Sequence, residues 1–364
     1  MKKTLLAAAL LGSFAASAFA APSVTLYGII DTGLNYTHYR ADDGKTASTD
    51  TFSMASGQSS GSRWGLRGDE KIGSVTVGFN LENGFNSDDG TETMSRLFGR
   101  EASVHVAGKY GTLYAGRIAS VVSDSGSIGY LGDVSAFPSA FGIVGNQAGS
   151  TGSAYARYDN TIAYQTPAFS GLQAAALYSF KADSKKDTTS RENSAAADRY
   201  AGAALRYKAG KAAVVLAGDY TLYSNTTYKN QDNGYSVILG GNYDFGVAKV
   251  FAKATYFDNQ LNYVDSFKLI PDTVALKGWG AELSTAVPAF GGTVIAGVSY
   301  RDAEEVQGDN EYKRWEAALG YTYAFSKRTN AYAGVTYAQQ KAEMKDKDQT
   351  PSAVGVMAGL VHKF

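Results

Sequence analysis

Along most of this chain apolar and polar residues alternate with a period of two, the side-chain period of a β-strand. The last run shows it most fully. Val354, Val356, Ala358, Leu360, His362 and Phe364 share one face, while Gly355, Met357, Gly359, Val361 and Lys363 share the other. The alternation continues to the final residue, as in a strand of a closed wall. Near the other end, Val24, Leu26, Gly28, Ile30, Thr32, Leu34 and Tyr36 oppose Thr25, Tyr27, Ile29, Asp31, Gly33 and Asn35. A third run sets Val75, Val77, Phe79 and Leu81 against Thr76, Gly78, Asn80 and Glu82. Such runs suit a sheet with one lipid face and one wet face.

Read from Ser23, the pattern gives sixteen strands, a count even as expected for a closed antiparallel wall. Short turns fall at Lys71-Ile72-Gly73, Tyr110-Gly111, Pro167 to Gly171, Ala209-Gly210, Asp244-Phe245-Gly246, Pro288 to Gly292 and Phe325 to Arg328. Between these hairpins lie long polar gaps at about 38–60, 86–96, 118–156, 181–197, 224–233, 258–273, 302–311 and 338–352. Strict alternation of short and long connections predicts short turns on one rim and long loops on the other. The predicted fold is all-β, a 16-stranded antiparallel transmembrane β-barrel, wide enough to leave an aqueous channel. A soluble sandwich would also alternate, but it has no reason to segregate its connections by length. Arg100 to Gly108 alternates poorly, and its faces stay unassigned by pattern alone.

Composition agrees with a barrel. Among 364 residues there are 41 Gly, 25 Tyr and only 6 Pro. Proline is pushed into turns because it cannot donate to a ladder. Cysteine is absent, which excludes disulfides and thiolate metal sites. Mean hydropathy is slightly negative, which excludes a bundle of membrane helices but not a barrel with a wet interior.

Residues 1–20 read as a cleaved signal peptide: basic Met1-Lys2-Lys3, an apolar stretch from Leu5 to Ala18, and Ala18-Phe19-Ala20 as the cleavage site. Residues 21–364 are then the barrel domain. Cleavage removes two of the 34 basic residues and none of the 34 acidic ones, so the barrel is slightly acidic. No basic block suggests nucleic acid.

Several segments resemble the general diffusion porins of Gram-negative bacteria, in particular the trimeric neisserial and burkholderial type. Ser23 to Gly28 with Asp31 is similar to that family's opening strand, and Ser62 to Gly68 to its second. Leu81 to Phe85 resembles the end of its third, Arg157 to Tyr164 its sixth, and Phe325 to Thr329 a late turn. The resemblance runs from Ser23 to Phe364 and is thinnest in the long loops. It implies an outer-membrane, water-filled channel for small hydrophilic solutes and ions, embedded in outer-membrane lipid. It also implies a homotrimer, with the C-terminal Phe364 strand read by the barrel assembly machinery. It further implies that the third loop folds inward as a constriction.

That loop, 118–156, is the longest, and its length marks it as functional or disordered. Tyr130, Leu131, Val134, Phe137, Phe141, Ile143 and Val144 make it too apolar for a free surface, so the barrel interior is its expected seat. By position, the resemblance implies basic wall residues at Arg63, Arg100 and Arg157, facing the loop's two charged groups, Asp124 and Asp133. Parity sets Arg63 with Gly65 and Arg67, and Arg157 with Asp159, Thr161 and Ala163, on the wet face. An arginine facing lipid at the midplane would cost about 2–4 kcal/mol. Arg67, Lys249 and Lys253 are further basic lumen candidates, while Glu82 and Asp31 lean the other way. The balance predicts a mild anion preference.

Other functions fit less well. An outer-membrane enzyme would need a histidine beside a nucleophile, and only His38, His105 and His362 exist, with no triad spacing. No catalytic, cofactor or metal site is expected. A plugged transporter needs a domain ahead of the barrel, and strand one begins almost at the predicted mature terminus. A substrate-specific sugar or phosphate channel would show an aromatic ladder or rows of lumenal Lys and Arg.

Overall fold

The computed structural model describes residues 23–364 apart from 139–140, 142–156, 262–264 and 346. The expected signal peptide and most of the second half of the third loop therefore lie outside the described residues. The strands are β1 (Ser23–Arg40), β2 (Thr49–Ser56), β3 (Arg63–Ile72), β4 (Val75–Gly84), β5 (Glu101–Gly108), β6 (Gly111–Ala119), β7 (Arg157–Gln165), β8 (Leu172–Ser179) and β9 (Arg199–Ala209). They continue as β10 (Ala212–Leu222), β11 (Gly234–Asp244), β12 (Lys249–Gln260), β13 (Leu276–Ala289), β14 (Gly292–Glu305), β15 (Glu311–Ala324), β16 (Thr329–Glu343) and β17 (Ser352–Lys363). Every neighbouring pair is antiparallel. The ring closes where Ile29 to Arg40 of β1 meet Lys363 to Ser352 of β17.

Seventeen segments make sixteen staves. β2 pairs with Thr32 to Tyr39 of β1, and β3 pairs with Ser23 to Ile29 of the same strand, so the two lie end to end. This corrects the first long gap, 38–60: β1 runs on to Arg40 and β2 fills Thr49–Ser56, leaving only 41–48 and 57–60 outside strands. The break at Gly57 to Ser62 has a cause. Asp31, fully buried, points its carboxylate there and accepts from the amides of Ser59 (2.7 Å) and Ser60 (2.6 Å) and from the Tyr332 hydroxyl (2.7 Å). Those amides turn inward to a side chain instead of outward to a ladder. Asp31 is therefore sequestered from pore water and contributes structure more than field.

The faces sort as the period predicts. Leu26, Leu205, Leu319 and Leu360 stand on the lipid side, whereas Phe251, Lys253, Thr255 and Phe257 of β12 face inward. Aromatic residues collect at both edges of the apolar band, as Trp279–Tyr300 and Trp315–Tyr337 on the long-loop side and Tyr243–Phe245 and Tyr323–Phe325 on the short-turn side. Amphipathic rings suit that boundary. The register of β4–β6 also settles the unassigned strand: Ser103 and His105 point inward while Val104 and Val106 meet lipid.

Phe364 completes the ladder. Its amide donates to the Gly28 carbonyl and its carbonyl accepts from the Gly28 amide, both at 3.1 Å. The ring lies over Gly28, in the space a Cβ there would take. Gly28→Val should evict the ring and destabilise the barrel by about 1–3 kcal/mol, as overpacking does. The lower melting temperature is read from heat-modifiable mobility on gels. The double variant with Phe364→Ala should lose less than the two single effects combined, because both act on one contact. Asp31→Asn can keep its oxygen on the Ser59 and Ser60 amides but takes the acceptor from the Tyr332 hydroxyl, and should cost about 1–3 kcal/mol in the same assay.

Candidate functional site in the barrel lumen

The third loop leaves β6 at Ala119 and immediately runs along the inner wall. Val121, Ile128, Tyr130, Leu131 and Val134 are buried against inward residues of β7 to β11, among them Ala163, Leu177, Val215 and Ile238. Farther on, Phe141 packs with Ile295, Tyr332 and Met357. The wall carries notches for it: a Cβ on Gly334 would stand 2.6 Å from the Phe141 ring, and one on Gly320 would also collide with it. Phe137 occupies a similar approach at Gly297. Burial drives this placement, since apolar side chains in the aqueous mouth would stay solvated. Burial also raises the Tyr130 phenol above its ordinary range, keeping it a neutral donor and acceptor. Its ring takes the Arg206 guanidinium at 4.7 Å.

Around the loop's first turn the wall is charged. Glu82 of β4 accepts from Arg100 Nε at 2.6 Å and from the Tyr27 hydroxyl at 3.1 Å, with Arg63 Nε at 3.8 Å. Arg157 Nε donates to the Arg100 carbonyl at 2.9 Å and its Nη2 reaches Ser125 of the loop at 3.4 Å. Arg63, Arg100 and Arg157 are thus neighbours. Asp124 stands within electrostatic reach of Arg63 and also of Lys253 on β12. Arg67 lies lower on β3, over the Tyr27 ring at 5.1 Å. Lys249 faces inward over Phe251 at 5.0 Å.

Two placements differ from the sequence reading. Asp133 does not face Arg63, Arg100 and Arg157. It pairs with Lys208 at 2.9 Å and Arg206 at 3.5 Å on β9, and its carbonyl accepts from Asn242 at 2.7 Å. The loop turns between the two acids, so one meets each part of the wall. Second, Arg157 does not share a face with Thr161 and Ala163 by simple parity. Asn160 has a φ of 48° and β7 carries an extra residue there. Tyr158 consequently turns inward and stacks on Tyr200 at 3.6 Å. Asp159 instead binds Arg117 at 2.6 Å and Arg96 at 3.0 Å, tying the second loop to the start of β7.

Some residues escaped the sequence reading. Glu101, buried on β5, accepts from Ser103 at 2.9 Å and from Ser127 of the third loop. Glu282 takes Lys253 at 3.1 Å and the Ser135 hydroxyl, anchoring the loop to β13. Glu282 lies on a strand whose alternation is legible and Glu101 on the one that alternates poorly, and nothing in either pattern says which inward carboxylate meets the loop. The histidines are dispersed: His38 contacts Asp50, His105 contacts Asp69, and His362 contacts Thr329. Ser103, on the same face as His105, gives its hydroxyl to Glu101. Ser103 and His105 therefore do not pair with each other.

Known proteins share the whole architecture. An outer membrane porin protein of Bordetella pertussis is 37% identical over 395 aligned positions, covering all of both chains. Outer membrane porin protein 32 of Delftia acidovorans is 29% identical, covering 99% of this chain and 95% of that one. A solved anion-selective porin from Comamonas acidovorans superposes with a TM-score of 0.64 at 25% identity, covering 94% of this chain and all of the other. The family model described as Gram-negative porin matches residues 6–343. With a closed sixteen-stave barrel and a charged lumen on the same chain, the conclusion is that this protein belongs to the Gram-negative porins, outer-membrane channels and not enzymes.

Proposed function

We propose that this channel passes small hydrophilic solutes and ions by diffusion past a constriction made by the third loop, 118–156, with a mild preference for anions. Arg63, Arg100 and Arg157 form its basic side. Asp124 acts from the loop, Glu82 from the wall, and Asp133 serves as a tether on Arg206 and Lys208. Arg67, Lys249 and Lys253 add to the basic lining.

One observation carries the preference: three neighbouring arginines, Arg63, Arg100 and Arg157, gather around one wall carboxylate, Glu82, and one loop carboxylate, Asp124. Where Asp133 is tethered, the more exposed partner is a base: the Lys208 side chain is 51% exposed against 18% for Asp133. Ions passing the loop therefore meet guanidinium and ammonium groups more than carboxylates, and a nearby fixed charge biases permeation. The anion-selective relative from Comamonas acidovorans agrees in sign. Porins of this kind work as trimers, and we extend this to the present chain, with the staves near both termini around the threefold axis. Export by the 1–20 signal peptide and recognition of Phe364 by the barrel assembly machinery complete the reading.

Planar-bilayer recording of the refolded mature protein tests it. In a KCl gradient the zero-current potential should have the anion sign, and channels should enter in threes. Reversal on the cation side would sink the charge assignment and leave the channel. Arg63→Gln with Arg157→Gln should move the potential toward cations, whereas Glu82→Gln should move it the other way. Gly334→Val should dislodge Phe141 and raise open-channel current noise, while a quiet trace would argue against the wall notch as the loop's seat.

A further inference from the structure

The loop between β12 and β13 also folds inward. Phe267 is buried against Ala338 and Ala353 and stacks on Tyr39 at 6.1 Å. Ile270 is buried against Phe257, Leu276, Tyr312 and Ala342. These wall residues alternate with outward Trp315, Tyr337 and Lys341, so the 265–270 strap lies inside the mouth. Asp265 shapes it, accepting from the Phe267 amide at 3.3 Å and the Ile270 amide at 2.7 Å.

Beneath the strap lie two arginines that the constriction does not use. Arg314 of β15 is 1% exposed and Arg301 of β14 is fully buried. The strap covers Arg314 directly: Phe267 lies 5.2 Å from its guanidinium, and Ser266 Oγ accepts from its Nη2 at 3.3 Å. Gln340 donates to Asp265 at 3.2 Å and accepts from Arg301 at 3.3 Å. Glu316 takes Arg314 Nε at 2.7 Å, but among the described residues Nη1 of Arg314 has no hydrogen-bond partner. A guanidinium has five donors in a fixed fork, and a buried one left short of acceptors gains by meeting an anion.

We propose that Arg301 and Arg314 are a second anion-selecting pair, and that the strap over them sets how much of that selectivity the channel expresses. With the strap seated, side chains of 265–270 fill the space before the pair and its charge is shielded. With the strap lifted, carboxylate or phosphate groups of passing solutes reach the fork and the mouth widens on the β13–β16 side. The inference rests on the channel reading and adds a determinant remote from Arg63, Arg100 and Arg157.

The test is Asp265→Ala with Phe267→Ser, which removes the strap's internal staple and its aromatic anchor without touching a barrel strand. Heat-modifiable mobility confirms folding before recording. Relative to the unaltered protein, single-channel conductance should rise and the zero-current potential in a KCl gradient should move farther toward anions. Adding Arg301→Gln and Arg314→Gln to the unseated strap should cancel the move in potential while keeping the higher conductance. Unchanged conductance and potential on unseating overturn the proposal, as does a shift that survives loss of both arginines. Absence of channels from the unaltered folded protein would instead defeat the channel reading itself, so the two failures are distinct.

Discussion

Hydrocarbon offers no partner to a peptide N–H or C=O, so a chain that crosses it with strands must pair every one of them, and only a closed ring does so. Here the ring is closed by the final residue. Phe364 exchanges both backbone hydrogen bonds with Gly28, and the strand behind it carries the pairing up to Arg40. Without that seam β1 and β17 would be two bare edges. A glycine at position 28 allows an aromatic at the terminus, because the ring needs the volume a side chain would fill.

Closure then dictates the interior. With parity fixed by the ring, apolar residues on even positions of β1 go to lipid and the odd ones go inward, and the same division holds stave by stave. A lumen lined this way offers apolar shelter along the Leu177, Val215 and Ile238 wall and where small residues such as Gly320, Gly334, Ala338 and Ala342 thin it. Both inward loops use that shelter. Phe141 rests on the glycine pair, and Phe267 and Ile270 rest on the alanines. The outward face of the same staves presents Trp315 and Tyr337 to the membrane boundary, so small residues inside coexist with large ones outside on one strand.

The staves were legible in the sequence because burial on one side and lipid on the other force a period of two. Their failures have local causes. β2 was read as loop because Thr49-Asp50-Thr51 reads as polar and the strand rises beyond the apolar band, where lipid no longer enforces the pattern. The parity run from Arg157 through Thr161 to Ala163 fails because the extra residue at Asn160 shifts it, and a bulge leaves no periodic trace, yet Arg157 still reaches the lumen at Ser125. Asp124 and Asp133 look equivalent in a loop with no other charge, yet they are separated by the turn through Gly129 to Gly132, and only tertiary packing assigns their partners. Arg301 and Arg314 sat on well-predicted inward positions without drawing notice, since nothing in β14 or β15 tells that a distant loop covers them.

The charge balance follows from side-chain length as much as from number. Carboxylates on short stems are held close to the wall, where hydroxyls and amides reach them: Glu101 by Ser103 and Ser127, Glu282 by Ser135 and Ser284, Asp31 by Ser59, Ser60 and Tyr332. Longer basic stems can carry their heads farther toward water, as Lys208 does beside Asp133, although Lys253, Arg301 and Arg314 stay buried. Near-equal numbers of acids and bases can therefore leave a net positive field along the path of an ion. The third loop contributes little to that field, because it brings two acids and one of them is spent on Arg206 and Lys208. On the proposed reading its effect is chiefly to narrow the lumen and bring the ion within range of the wall's arginines, where the Coulomb term grows as separation falls and water is displaced.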